Sequence, residues 1–202
     1  MKAVVIGTGT IGAAVSEVLG EQGHEVVTVG RKSGEYRADI TDVGSLRALF
    51  AGLGGFDAVA SAAGDVFPAP FEEATDEQWA GSLASKGMGQ VNVVRAALPY
   101  LADGGSFTLV SGVLTDEVTP AATIGATVNH LVEGFVKAAA TELPRGIRIN
   151  CVSPTVLAES TAYHPYFPGF TPVPAAEVAQ AYLRAMANPG TGRVVKLHKT
   201  DS

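Results

Sequence analysis

Six short apolar runs, KAVVIG, HEVVTVG, FDAVASAAG, GSFTLVSG, GIRINCVSP and GRVVKLH, recur along the chain with helical patterns between them. Runs of this kind leave a strand with no polar face to turn toward water, so both of its faces must be covered. Alternation with helices then means right-handed βαβ crossovers onto a parallel sheet. The expected fold class is α/β, a doubly wound parallel sheet in a single domain spanning residues 1–202. A composition of 47% hydrophobic against 17% charged residues suits a sheet buried on both sides. Helices are predicted over residues 11–21, 43–52, 76–101, 121–143 and 175–187. The third opens on Thr75 and Gln78, spaced as a capping box, and the last has Pro174 near its start.

One crossover is expected to lack its helix. Between the strand ending at Gly30 and the segment EYRADI only RKSG is available. Four residues span roughly 13 Å at ~3.3 Å each, enough for a loop beside a very short strand but not for a helix. The segment YHPYFPGFTPVP reads as a substrate-loop or lid over about residues 155–174, because its aromatics need cover.

A formal net charge of -6 opposes a nucleic-acid partner, which requires a concentrated basic surface. No segment approaches the ~18 apolar residues of a membrane span, and MKAVVIG is too short for a signal-peptide core. The single cysteine, Cys151, lies in an apolar strand and cannot form an internal disulfide. A reducing cytoplasm is the expected compartment.

Gly7, Gly9 and Gly12 form G-x-G-x-x-G between the first strand and the first helix. Glycine there permits a tight turn and close approach to a pyrophosphate, which the helix N-terminus receives with free N–H groups. Gly7, Thr8, Gly9, Thr10, Ile11 and Gly12 are thus candidate cofactor contacts. After the second strand, an NAD site would carry a carboxylate for the ribose hydroxyls; this chain has Arg31, Lys32 and Ser33, which suit a 2′-phosphate. NADP(H) is therefore favoured over NAD(H). Asp39 and the Ile40 backbone are placed to meet the adenine, with Thr41 and Asp42 equally suited to capping the next helix. No metal is implied.

The order of GTGTIG, ADITD, DAVASAAG, GSFTLVSG and LVEGFVKAAATELPRGIRINCVSP resembles the short-chain dehydrogenase/reductase (SDR) family over nearly the whole chain. The resemblance implies that Ala62, Ala63 and Gly64 form the cofactor shelf, with Ala62 replacing the family's Asn. It also implies that Pro154 and the Val156 backbone serve the nicotinamide carboxamide, although Pro154-Thr155 departs from the usual Pro-Gly. In that family a Tyr assisted by a Lys exchanges the proton on the substrate oxygen, a Ser orients that oxygen, and a helix Asn completes a water relay. Ser111 matches the Ser. The Tyr-x-x-x-Lys motif falls on Gly125 and Asn129, and the family's helix Asn falls on Lys86, which reads either as Lys and Asn exchanged between helices or as two unrelated losses with Lys86 on a solvated face. The expected catalytic set is Ser111, Lys86 and Asn129. Tyr163, His164 and Tyr166 on the lid, with Asp116 and Glu117, are candidates for the missing proton donor. His130 points roughly 100° away from Asn129 and is read as a surface or interhelix residue.

The expected function is NADP(H)-dependent hydride transfer to or from a small carbonyl or alcohol substrate. The competing expectation is a sensor or scaffold that keeps the cofactor and has lost turnover. Family members commonly pair their long Ala- and Gly-rich helices across a two-fold axis, so a homodimer or homotetramer is expected.

Overall fold

The computed structural model describes residues 1–198. Strand β1 (Lys2–Ile6) leads into α1 (Thr10–Glu21), β2 (Glu25–Gly30) and a two-residue β3 (Tyr36–Arg37). Next come α2 (Val43–Leu53), β4 (Phe56–Ser61) and α3 (Asp76–Ser82), which passes through a π-helical segment, Leu83–Met88, into α4 (Gly89–Ala97). Strand β5 (Leu101–Val110), α5 (Thr123–Ala139), β6 (Arg148–Pro154), α6 (Ala175–Ala187) and β7 (Val194–Leu197) complete the order. All neighbouring strands pair in parallel, in the order β3-β2-β1-β4-β5-β6-β7.

Both faces of this sheet are covered. Val4 and Val5, adjacent on β1 and thus on opposite faces, are both 0% exposed. Val4 packs with Leu46 and Phe50 of α2, Val93 and Ala97 of α4, and Val132 and Val136 of α5. Val5 packs with Val15 and Leu19 of α1 and with Val178 and Tyr182 of α6. Tyr182 is buried, and its hydroxyl donates to Ser61 O at 2.7 Å, tying α6 to the end of β4.

The connection from β2 to β3 is a loop of residues 31–35, so this crossover carries no helix, as its shortness required. Two helices are shorter than their sequence patterns. Pro99 cannot continue a helix, and the segment expected to run to residue 101 ends at Ala97. The helix expected to reach residue 143 ends at Ala139. There, bonds from Thr141 N to Ala138 O and from Glu142 N to Ala139 O tighten the last turn ahead of Pro144. Among the described residues no helix is long and apolar enough to cross a membrane.

Strand order reverses at β1, from which the chain crosses first to β2 and later to β4. The carboxyl ends of β1 and β4 frame the crevice where sheets of this kind bind ligands.

Candidate functional site

Two cavities open along that carboxyl edge, and they share Ala62, Ala63 and Gly64. The first, of about 260 Å³, is lined by Gly7, Thr8 and Gly9 after β1, by Arg31 after β2 and by Asp39 and Ile40. Gly7 has φ +104°, and a Cβ there would stand 2.7 Å from Ala62 O, so only glycine lets the turn lie against the shelf. Gly9 precedes α1, and no side chain caps the helix, which leaves its first N–H groups to face the cavity. Asp39 accepts from Thr41 N at 2.9 Å and Thr41 Oγ1 at 2.7 Å. Those bonds, the backbone one foremost, hold its carboxyl below the usual range. Arg31 reaches across to Asp65 with Nη2 3.3 Å from Oδ2. Ser33 shares a short hydrogen bond with Thr8, while Lys32 is exposed. Of Thr41 and Asp42, it is Asp42 that caps α2, accepting from Ser45 N at 3.1 Å.

The second cavity, of about 270 Å³, lies beyond Ala62–Gly64 between the ends of β5 and β6 and the segment after β6. Lys86 enters it from the middle of the π-helical segment, a one-turn widening of the helix of the sort that gathers at functional sites. Its amine donates to Ser111 O at 2.9 Å. Burial brings the amine down to about 8, because a charge taken out of water is disfavoured. Gly64 makes room for this arrangement: at φ +131°, a Cβ there would lie 2.6 Å from Lys86 Cα. Gln90, 0% exposed, pairs its amide with Val110 through bonds of 2.8 and 2.9 Å and fixes α4 to the end of β5.

Ser111 stands one residue past β5, and its hydroxyl donates to Glu133 Oε1 at 2.7 Å. Thr115 Oγ1 donates to the same oxygen at 3.1 Å. Asn129 is buried in the cavity wall, its Nδ2 only loosely bonded to Gly112 O at 3.4 Å and its Oδ1 without a partner. At Gly125, a Cβ would stand 2.9 Å from Leu114 Cδ1, so the place of a tyrosine is filled by an aliphatic side chain.

Ser111, Lys86 and Asn129 therefore meet in one cavity, with Pro154 and Val156 on its wall and Tyr163 and Tyr166 at its rim. His164 is not among the residues lining this cavity; its Nε2 lies 2.9 Å from Leu157 O, within the same segment. Asp116 is also committed elsewhere, to Lys196 and to His198 on and beyond β7. Glu117 is exposed, and His130 lies on the outer side of α5 with Nδ1 2.9 Å from Ala126 O. Two residues were missed from sequence. Glu133 shares a face of α5 with Gly125 and Asn129 at four-residue spacing, a signal available in EGFVK had the helix face been followed one turn further. Thr155, buried with its hydroxyl unpartnered, follows Pro154 directly.

A dinucleotide fits this crevice: an uncapped helix N-terminus faces its phosphate end, glycines clear the shelf, and an orphaned amide oxygen waits at the other end. The fold and crevice together define a Rossmann-type nucleotide-binding protein. Residues 6–192 match the family model described as enoyl-(acyl carrier protein) reductase, and the chain belongs to the short-chain dehydrogenase/reductase family. An uncharacterized NAD-dependent oxidoreductase of Mycobacterium tuberculosis is 32% identical over 191 residues, covering 85% of this chain and 70% of that protein. The solved structure of the protein lin1944 from Listeria innocua has 42% identity and a TM-score of 0.95, covering 98% of this chain and 100% of that one. A small-chain dehydrogenase solved in complex with NADPH has 27% identity and a TM-score of 0.88, covering 98% and 96%.

Proposed function

We propose that the protein is an NADP(H)-dependent oxidoreductase acting on a small, uncharged or weakly polar carbonyl or alcohol. The observation that carries this reading is the Lys86 amine, held in a cavity that shares its shelf with the nucleotide pocket. When bound, the nicotinamide accepts or donates the hydride. Ser111 holds the substrate oxygen. Lys86 supplies positive charge beside the nicotinamide ribose, and the free Asn129 Oδ1 anchors water on the path to it. Arg31, Lys32 and Ser33, the first three residues after β2, offer a guanidinium, an ammonium and a hydroxyl to a 2′-phosphate, with no carboxylate among them. The exposed Arg31–Asp65 pair is weak enough for the guanidinium to turn to a phosphate. NADPH complexed to a structural relative supports the same choice, while the NAD-dependent name of the mycobacterial relative opposes it.

Val66, Leu114, Leu157, Tyr163, Tyr166 and Phe167 make the substrate side apolar, with the segment at about 155–174 as its lid. A homodimer or homotetramer in a reducing cytoplasm completes the reading, in keeping with the buried free thiol of Cys151. Gly125 favours a second reading, a cofactor-binding sensor without turnover, because Leu114 occupies the space of the missing acid.

Fluorescence titration with NADPH and NADH tests the shared part, and micromolar binding of neither would remove both readings. NADPH consumption with a panel of aldehydes, ketones and quinones, abolished in Lys86→Ala and Ser111→Ala, is expected of the enzyme. Cofactor binding with no consumption by any of them would establish the sensor.

A further inference from the structure

We propose that Glu133 holds the proton exchanged with the substrate oxygen, acting through the Ser111 hydroxyl in place of the absent tyrosine. The proposal rests on the oxidoreductase reading above and adds to it the proton's route.

Ser111 and Glu133 are 2% and 7% exposed, so their 2.7 Å hydrogen bond is shielded from water. Among the described residues no cation lies within ion-pairing distance of Glu133; two hydroxyls satisfy its Oε1 instead. A carboxyl group taken out of water without a cation beside it depends on hydrogen-bond donors to offset its desolvation, and these two hydroxyls are the donors present. Ser111 has one proton to donate, and Glu133 receives it. The serine's lone pairs are left for the cavity it lines, where they can accept the hydrogen of an alcohol. Gly125, Asn129 and Glu133 follow one another at four-residue spacing along α5. The acid has thus moved two turns along the face that would have carried the tyrosine. The other titratable groups around this pair are the Lys86 amine, bonded to Ser111 O, and the Cys151 thiol of β6, which burial keeps protonated by pushing it up to about 12.

In alcohol oxidation the substrate O–H bond breaks and its proton joins Ser111 Oγ. The serine's own O–H bond breaks, and that proton joins Glu133 Oε1. The carbinol C–H bond breaks with its electron pair, which passes as hydride to an oxidised nicotinamide dinucleotide, and the second C–O bond forms. The carbon is oxidised and the dinucleotide reduced; reduction of a carbonyl runs the same steps backward. Thr115, half-buried and bonded to the same carboxylate oxygen, gives the proton a way toward the surface.

Glutamine at 133 can still accept a hydrogen bond from Ser111 but cannot take its proton, whereas alanine can do neither. A residue that merely orients Ser111 would be replaced by glutamine and not by alanine. The relay predicts that Glu133→Gln and Glu133→Ala both lower kcat by about 10²- to 10⁴-fold with NADP(H) affinity retained. A second readout needs no turnover. Adding trifluoroethanol, an alcohol that donates hydride poorly, to the NADP⁺ complex should raise the infrared band of a protonated carboxyl, and Glu133→Gln should lack it. Full turnover in Glu133→Gln overturns the relay. NADP⁺ binding without the band in the unaltered protein overturns the relay alone, while no NADP⁺ binding removes the oxidoreductase reading and the relay with it.

Discussion

At the scale of single residues, Lys86 couples charge to stability with a definite sign. Its amine sits near 8 in the folded protein against an ordinary lysine value of 10.5. Between those values the unfolded chain holds a proton that the folded chain has released, so stability rises with pH across that window. Denaturant unfolding at pH ~7 and pH ~10 should therefore show the native protein gaining on Lys86→Met as pH rises. Any function of the ammonium runs the other way and declines as pH climbs through 8; an alkaline limb that survives in Lys86→Met would belong to another group. That Lys86 and Asn129 fall on each other's motif positions was legible in the sequence; that both line one cavity was not. The place of Glu133 on the helix face of Gly125 and Asn129 was legible too, but its bond to Ser111, 22 residues away along the chain, was not.

Among the elements, the π-helical turn and its supports decide where Lys86 points. Gln90 closes both hydrogen bonds of the Val110 backbone and lies one helical turn beyond Lys86. Replacing it with leucine would leave Val110's N–H and C=O buried and unpaired, a loss of about 2–4 kcal/mol measurable by thermal or urea unfolding. Gly64→Ala would drive a Cβ against the Lys86 backbone and impose positive φ on alanine. That substitution should destabilise by more than about 1 kcal/mol and weaken NADPH binding, read by fluorescence titration. Unchanged affinity would mean that the shelf has slack. Strands and helix starts were readable because their signals are local: apolar runs, a capping box at Thr75 and Gln78, and proline before α6. The π-turn was invisible, for LASKGM carries no pattern that separates it from an ordinary helical turn.

For the whole molecule, cofactor binding is expected to stabilise the fold by mass action. At roughly a hundred times its Kd, NADPH would add about 2.7 kcal/mol, raising Tm by roughly 5–10 °C in a chain of this size. A larger rise with NADPH than with NADH would mark the phosphate preference, and Arg31→Ala should erase the difference. Asp116 joins the loop after β5 to β7 through Lys196 and His198, and the Lys196 bond foremost holds its carboxyl low. Its folded value lies below its unfolded one, so the contribution is present above about pH 4 and is lost as acid protonates it. Asp116→Asn should flatten that acid limb in a pH series of thermal melts. Sequence by itself determined the parallel sheet, the missing crossover helix and the glycine turn, because the first follows from strands and helices alternating along the chain and the other two from residues within a few positions of one another. Only the tertiary structure decided that Lys86 turns inward, that Leu114 stands against Gly125 and that the Ser111 hydroxyl donates a hydrogen bond to Glu133. Those outcomes are fixed by distances between segments far apart in the chain, which packing sets and no local pattern encodes.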